Sequence, residues 1–324
     1  MDTSIIIVNW NGLRHLPKCL SSLFNQTYQD FSVIMVDNGS TDDSLNFVQE
    51  NYPQVEIIAN QKNLGFAQAN NLGIKKALAN PKTKYAVLLN NDTEVKADWL
   101  EQLIKTAEEK KDAGLVTSKI LYFDRRDIID STGDYYYQGS LKIVPRGHGQ
   151  KDSGQYDQAE ECLAACAASA LYKREVLEQA EINGDFLDND FFAYIEDQDL
   201  SLRARLLGWR CFYQPSSVIY HKVSATTTKL ATNQKKYLSL RNRILTAIKI
   251  YPLKFWPQVF KNPITFAGPR RSFWTNLCLY AKIFCQILWL LPKFMGKRKK
   301  IREKTKVPFE QINEWVDQFS VTYD

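Results

Sequence analysis

Four apolar runs alternate with amphipathic segments in the first 120 residues, and this alternation constrains the fold more than any other feature of the chain. The runs are "SIIIVN" (4–9), "FSVIMVD" (31–37), "VEIIAN" (55–60) and "YAVLLN" (85–90). They read as strands that are apolar on both sides, so each needs cover on both faces. The intervening segments supply it. "GLRHLPKCLSSLFNQ" (12–26) places Leu13, Leu16, Leu20, Leu23 and Phe24 at helical spacing. "NGSTDD" is a turn with N-cap chemistry before a short helix, "SLNFVQEN". "FAQANNLGIKKALAN" (66–80) is a helix closed by Asn80-Pro81. The pattern predicts an α/β fold, a mainly parallel sheet with helices on both faces and right-handed crossovers. With 324 residues at 44% hydrophobic, the chain holds one large domain or one domain with an appendage.

Sheets of this kind bind ligands beyond the carboxyl ends of their strands. Polar residues collect there: Asn9, Asp37 and Asn38, Asn60 and Asn63, then Asn90, Asn91 and Asp92. An Asp beside small polar side chains suits a hard divalent cation, Mg²⁺ or Mn²⁺, which takes few protein carboxylates and relies on phosphate oxygens. Asp92 equally fits a turn former or a helix N-cap. No G-x-G-x-x-G follows a strand, which disfavours a dinucleotide site. No G-x-x-x-x-G-K-[ST] occurs, which excludes a P-loop.

Residues 123–160 are polar and rich in Tyr, Gly and Asp, and read as loops and short antiparallel strands at the rim of the site. "CLAACAASALYKREVLEQA" (162–180) is apolar, then amphipathic. In "DFLDNDFFAYIEDQDLSLRARLLGWRCFYQP" (185–215) a helix is predicted from near Asp197 to Gly208. Glu196, Asp197 and Asp199 at its start suit the helix macrodipole. That explains one carboxylate and not the aromatic run before it. A carboxylate at the mouth of an apolar pocket is a candidate general base. "SSVIYHK" is a strand ending at His221, one of three histidines. A histidine there is either structural or, with Asp92, half of a mixed O/N metal site.

The net charge of +6 conceals an asymmetry. Residues 1–228 carry 23 Lys+Arg against 31 Asp+Glu, a balance of −8. Residues 229–324 carry 19 against 5, a balance of +14. A solvated basic helix face and an anion-facing surface both fit. Interleaved Trp256, Phe260, Phe273, Trp274, Trp289 and Phe294 favour an anionic membrane surface, and no nucleic-acid partner is expected. Segment 272–294 is apolar along most of its length, though it contains Asn276, Lys282 and Gln286, and basic "KRKKIREKTK" follows. It predicts an interfacial amphipathic helix, with burial against the main domain as the other reading. Six cysteines form no C-x-x-C pair, and Met1 leads straight into a strand. Reduced thiols, no signal peptide and a cytoplasmic protein on the inner face of the cell membrane are expected.

Seven motifs occur in a telling order: "SIIIVNWNG", "VIMVDNGSTDDS", "NLGFAQANNLGI", "LLNNDTE", "ACAASALYKREVL", "FFAYIEDQDLSLRARLLGW" and "YHKVSAT". Together they resemble the family-2 glycosyltransferases of the GT-A fold, most of all bacterial rhamnosyltransferases of cell-surface polysaccharide synthesis. The resemblance covers about residues 3–245. It implies a GT-A domain over 1–245, with a nucleotide-sugar half (1–120) and an acceptor half (121–245). A helical, basic, membrane-associating region is left over 246–324.

The resemblance also implies roles. "NND" stands at the family's D-x-D position, so Asn90 replaces the first acid and Asp92 is the metal ligand. His221 matches a histidine that joins the metal or diphosphate site. Asp37 matches the nucleoside-contacting acid. Asn63, Gly65 and Asn70 lie in the donor-binding segment; Val8, Asn9, Asn91 and Arg241 are assigned to the donor as well. Asp197 matches the general base, and Cys166, Ala167 and Glu196 fall on the acceptor side. The implied reaction is an inverting, metal-dependent transfer from a nucleotide-diphosphate sugar to a lipid-linked saccharide. L-rhamnose from a dTDP donor comes first, with a UDP-hexose or UDP-galactofuranose as alternative. The Q-x-x-R-W motif of processive synthases is absent, which implies addition of one or a few sugars. A sugar nucleotidyltransferase would carry a Gly-rich loop where "NWNGLRHLPK" stands. A carbohydrate-binding protein without catalysis is the remaining reading that "NND" permits.

Overall fold

A computed structural model describes residues 1–223, 232–256, 258 and 273–322. Phe260 and the last three residues of "YHKVSAT" lie outside them, as do the side chains of Phe273 and Trp274. Strand β1 (Thr3–Asn9) pairs in parallel with β2 (Phe31–Asp37) and with β4 (Tyr85–Leu89). β2 pairs in parallel with β3 (Glu56–Ala59). These are the four expected strands. Ile5 and Ile7 of β1 face one way, against Leu16, Leu20 and Leu23 of α1 (Leu16–Phe24) and Leu100 and Leu103 of α4 (Trp99–Glu109). Ile6 faces the other way, against Ala67, Ile74 and Ala77 of α3 (Phe66–Leu78). Helix α2 (Ser44–Asn51) joins β2 to β3. A strand with a period of two and cover on both faces has no polar side to offer.

The second half of the sheet departs from the parallel pattern. The order continues from β4 through β11 (Ser169–Lys173), β6 (Ala113–Tyr122) and β12 (Arg210–His221) to β10 (Glu160–Cys162). β11 is antiparallel to both β4 and β6, and β12 is parallel to β6 but antiparallel to β10. The sheet is therefore mixed, and the expectation of a mainly parallel one holds only for its first half. The physical reason is the connection: β11 is entered from segment 123–168, not through a covering helix. That segment holds β7 (Ile129–Ser131), β8 (Asp134–Tyr137) and β9 (Ile143–Pro145), the short rim strands foreseen. Between β4 and α4 lies β5 (Thr93–Val95), which pairs antiparallel with the end of β12. Helix α5 (Arg174–Ala180) follows β11, and α6 (Glu196–Leu206) precedes β12.

The expected division between 245 and 246 falls inside α7 (Thr232–Ile250). After α7 come α8 (Phe273–Lys304), α9 (Gln311–Gln318) and β13 (Ser320–Val321), which pairs in parallel with β8. Ile301, Ile312, Trp315 and Phe319 join the same core as Tyr136 and Leu200. Leu290 and Phe294 of α8 pack on Leu245 and Ile248 of α7 and on Phe191. The opposite face of α8 is bare: Phe284 is 62% and Trp289 77% exposed. One face of the segment is thus docked, as the second reading has it, and the other is open. Leu277–Lys304 is also long and apolar enough to cross a membrane by length and composition, its most apolar 18-residue stretch having a mean hydropathy of 1.4.

The expected basic surface needs a correction. Lys297 is buried on Asp188 and Asp190, at 2.5 and 2.6 Å. Arg298 is buried too, donating to the carbonyls of Ile248 and Tyr251 at 2.7 and 2.8 Å. Both clamp α8 to the main domain. Lys299, Lys300, Arg302, Lys304 and Lys306 remain exposed.

Candidate active site

The strand ends converge on a cavity of about 330 Å³. One wall is built by β4 and β12. The chain leaves β4 through Asn90 and Asn91 to Asp92, and β5 then sets Thr93 opposite His221. His221 Nε2 lies 3.2 Å from Asp92 Oδ1, and its Nδ1 lies 3.1 Å from Asp130 Oδ2. Asp130 also takes His148 at 3.2 Å. Burial disfavours the imidazolium, but Asp92 and Asp130 outweigh it and push His221 up to about 10. Burial likewise raises Asp92, yet the His221 charge outweighs it and leaves Asp92 below the ordinary carboxylate value.

The other wall is the turn that opens α6. Phe192, Tyr194 and Ile195 have φ values of 65°, 73° and 75°. Three non-glycine residues in the left-handed region need an external restraint. Asn242 Nδ2 supplies it, donating to the carbonyls of Phe191, Ala193 and Tyr194 at 3.0, 3.0 and 2.8 Å. Beneath the turn lies Gly65, with φ at 88°, where a Cβ would sit 2.5 Å from the Phe192 carbonyl oxygen. No other residue fits there.

This turn presents Asp197 in the first turn of α6, facing the cavity. Its Oδ2 accepts from the Ala167 amide at 3.0 Å and its Oδ1 from the Gln198 amide at 2.8 Å. Burial raises Asp197; the two amides offset part of that, and it stays above the ordinary carboxylate value. A carboxylate raised in this way is a stronger base. Glu196 beside it is buried, and its Oε2 has no hydrogen-bond partner among the described residues. Burial and then the Asp197 charge push Glu196 well up, which favours its neutral form. Asp134, buried and near Asp197, is raised to about 7 by the same two causes and accepts from Gln198 Nε2 at 3.0 Å.

Of the residues singled out in the sequence, Val8, Asn63, Gly65, Asn91, Asp92, Cys166, Ala167, Glu196, Asp197 and His221 line the cavity. Four others stand back from it. Asn9 Oδ1 accepts from Asn91 Nδ2 at 2.7 Å, so Asn9 orients Asn91 from behind. The chain passes tightly here, since a Cβ on Gly12 would lie 2.2 Å from Asn91 Nδ2. Asp37 is buried and accepts from the Ser40 amide at 2.9 Å and Ser40 Oγ at 2.5 Å, which makes it a turn former. Asn70 is buried in α3 and donates to the Phe66 carbonyl at 2.9 Å. Arg241 is the clearest correction. It is buried, and its guanidinium donates to the carbonyls of Asp190 and Phe191 at 2.7 and 3.0 Å, so it braces the strained turn and does not reach a diphosphate. Asp199, the third acid of "IEDQD", pairs with Arg203 at 3.0 Å and Lys249 at 2.8 Å and is structural.

The sequence reading missed Trp10, Phe192, Tyr194 and Lys235 in the lining, and the pair Asp130 and His148 behind His221. The scarcity of histidine was a usable signal for His148. Nothing local pointed to Asp130, whose partner arrives through the β6–β7 and β6–β12 ladders.

The donor set at Asp92 and His221 fits a divalent cation sparingly. It offers one oxygen and one nitrogen, and among the described residues no group of three or more His, Cys, Asp or Glu is placed to hold a metal. Such a pair suits a cation that draws its remaining ligands from a diphosphate. Asp130 on Nδ1 orients the ring so that Nε2 faces Asp92, and a cation held there would replace the Nε2 proton.

Residues 4–180, more than half of the chain, match the family model described as Glycosyl transferase family 2. The chain belongs to this family. Its curated relatives include the glycosyltransferase GlyG of Streptococcus pneumoniae, 31% identical over 41% of this chain and 42% of that protein. The N-acetylglucosaminyl-diphospho-decaprenol L-rhamnosyltransferase of Mycobacterium tuberculosis is 26% identical over 74% of this chain and 84% of that protein. The amylovoran biosynthesis glycosyltransferase AmsB of Erwinia amylovora is 28% identical over 87% and 89%. Among solved structures, GalNAc-T7 with UDP, GalNAc and Mn²⁺ superposes with a TM-score of 0.66 at 15% identity, over 98% of this chain and 56% of that one. S. aureus TarS 1–349 with UDP gives 0.59 at 16%, over 97% and 92%. The chain thus spans less than half of GlyG and just over half of GalNAc-T7. The structural likenesses establish the GT-A fold of this family-2 chain.

Proposed function

We propose that this family-2 chain transfers a sugar from a nucleotide-diphosphate donor to a saccharide hydroxyl, with inversion at the anomeric carbon. The observation that carries this reading is the placement of Asp197 and the Asp92–His221 pair on the walls of one cavity. The acceptor oxygen attacks the anomeric carbon as the bond to the diphosphate breaks. Asp197 takes the hydroxyl proton, and the bonding electrons leave with the diphosphate. A Mg²⁺ or Mn²⁺ ion held by Asp92 and His221 would supply positive charge for that leaving group.

The mycobacterial relative's named activity supports L-rhamnose as the sugar and a lipid-linked saccharide as the acceptor. A dTDP donor is the first to test. The name of AmsB supports a place in polysaccharide biosynthesis. Screening nucleotide sugars for thermal stabilisation, with and without Mn²⁺, is the direct experiment. One donor is expected to stabilise the protein more with the metal than without it. Stabilisation by none overturns the reading. Asp92→Ala is expected to abolish the metal's enhancement while metal-free nucleotide binding changes little; an undiminished enhancement removes Asp92 from the metal site.

The C-terminal region supports peripheral attachment to the inner face of the membrane. Exposed Phe284, Leu288 and Trp289 offer apolar insertion, and exposed Lys299, Lys300, Arg302, Lys304 and Lys306 lie at the end of α8 or just after it. A cation near an anionic surface contributes roughly 1 kcal/mol. Liposome flotation separates the two parts. Binding is expected to need anionic lipid and to weaken, without vanishing, as salt rises. Gln at Lys299, Lys300, Arg302, Lys304 and Lys306 is expected to remove the dependence on lipid charge. If the wild-type protein does not float with anionic vesicles at low salt, the attachment is wrong.

A further inference from the structure

Helix α7 borders three spaces in succession. Lys235 lines the Asp197 cavity and also a second cavity of about 290 Å³. Arg243 lines that second cavity and also a third space, a groove of about 460 Å³ between α7 and α8. Along a helix, Lys235 to Arg243 is about 12 Å and Arg243 to Ile248 about 7.5 Å, at 1.5 Å per residue.

The second cavity is cationic. Lys142, Lys235, Lys236 and Arg243 line it, with no acidic residue among the described lining. Arg243 Nε is buried there and has no hydrogen-bond partner among the described residues. Burial lowers Arg243, and burial and then the Arg243 charge lower Lys142, so the two cations disfavour each other. Arg243 and Lys142, brought together without a counter-charge among the described lining, are unfavourable unless an anion joins them. The groove beyond is apolar, walled by Ile244, Ala247, Ile248, Ile283, Ile287 and Leu291, with Arg243 at its edge.

We infer that these two spaces hold the phosphate and the alkyl chain of a lipid-linked acceptor, the phosphate between Arg243 and Lys142 and the chain in the groove between α7 and α8. A saccharide joined through phosphate to a long apolar chain has three chemistries in a fixed order. Hydroxyl-bearing sugar, anion and hydrocarbon then meet the Asp197 cavity, the cationic cavity and the apolar groove in the same order. The inference rests on the proposed transfer to a lipid-linked saccharide and names where that acceptor binds. Charge complementarity, and the lining residues that neighbouring spaces share, select this occupant over a second protein, whose apolar side chain would leave Arg243 and Lys142 unanswered. A phosphate contact also suits the fork of a guanidinium.

The test uses the full chain in a neutral detergent, with phytanyl phosphate, phytanol and inorganic pyrophosphate as probes and calorimetry as the readout. Phytanyl phosphate is expected to bind at least about tenfold tighter than either other probe, since a hydrogen bond to a charged group contributes roughly 1.5–3 kcal/mol. Arg243→Gln is expected to weaken phytanyl phosphate about ten- to hundredfold and to leave phytanol unchanged. Arg243→Lys is expected to recover part of the loss. Lys142 is exposed, so Lys142→Gln does not threaten folding; it is expected to cause a smaller loss of the same kind. Equal binding of phytanyl phosphate and phytanol overturns the inference, as does an unchanged affinity in Lys142→Gln and Arg243→Gln together. Pyrophosphate binding as tightly as phytanyl phosphate leaves the groove without an occupant and also overturns it. Because no donor is present, the result separates from the transfer itself. A chain that binds phytanyl phosphate but moves no sugar refutes the proposed function alone. One that moves sugar to a lipid-linked saccharide and ignores phytanyl phosphate refutes this site alone.

Discussion

Asp197→Asn is expected to keep donor binding and to lose sugar transfer by about 10²- to 10⁴-fold, the usual contribution of a general base. The substitution removes basicity and changes shape very little. One of its two polar atoms still accepts from the backbone, where Asp197 now accepts from Ala167 and Gln198. The carboxylate is also the member of its cluster best suited to take a proton. Glu196 is pushed toward its neutral form, and Asp134 is raised to about 7 partly by Asp197 itself. Removing the Asp197 charge should therefore lower Asp134, an effect visible in the pH dependence of the residual activity. Transfer within a few-fold of wild type, with donor affinity intact, would remove Asp197 from the chemistry. Loss of donor affinity as well would point to a collapsed turn at 192–195.

Lys249→Met is expected to destabilise the fold by about 3–5 kcal/mol, because it takes from buried Asp188 and Asp199 the cation they share. Lys249 is fully buried, 2.5 Å from Asp188 and 2.8 Å from Asp199. Lys297 of α8 completes the cluster on Asp188 and Asp190, and Lys293 adds an exposed contact to Asp190 at 2.7 Å. Burial alone would raise Asp188, yet Lys249 and Lys297 outweigh it and hold it well below its ordinary value of 3.8. A carboxylate depressed in the folded state adds stability above its unfolded value, and that stability is lost as pH falls. The deficit of Lys249→Met is thus expected to be largest near neutral pH and to shrink below about pH 4. Urea titration at pH 7 and pH 3 checks both parts. A loss under about 1 kcal/mol at pH 7 would show that the cluster adds little to the fold.

The same cluster explains why part of the sequence reading went astray. Nineteen basic residues in the last third of the chain read as a surface because sequence shows charge and not its partners. Lys249 and Lys297 are interior, held by acids from segment 188–199, and their charge locks the C-terminal helices to the main domain. Arg241 failed for a related reason. An arginine after the last motif can reach a diphosphate or a row of carbonyls, and only the packing of α7 under the strained turn decides for the carbonyls.

The sequence by itself determined the parallel first half of the sheet and the polar strand ends that open on the cavity. Those features are written in short periods and local spacings, which depend on neighbours along the chain. Tertiary structure alone decided the mixed second half, the Asp92–His221–Asp130 alignment and the placing of Lys235 and Arg243 of α7 each on two neighbouring spaces. Each of these joins groups far apart in sequence, and burial sets the strength of their pairing through desolvation. That burial exists only once the chain has folded around them.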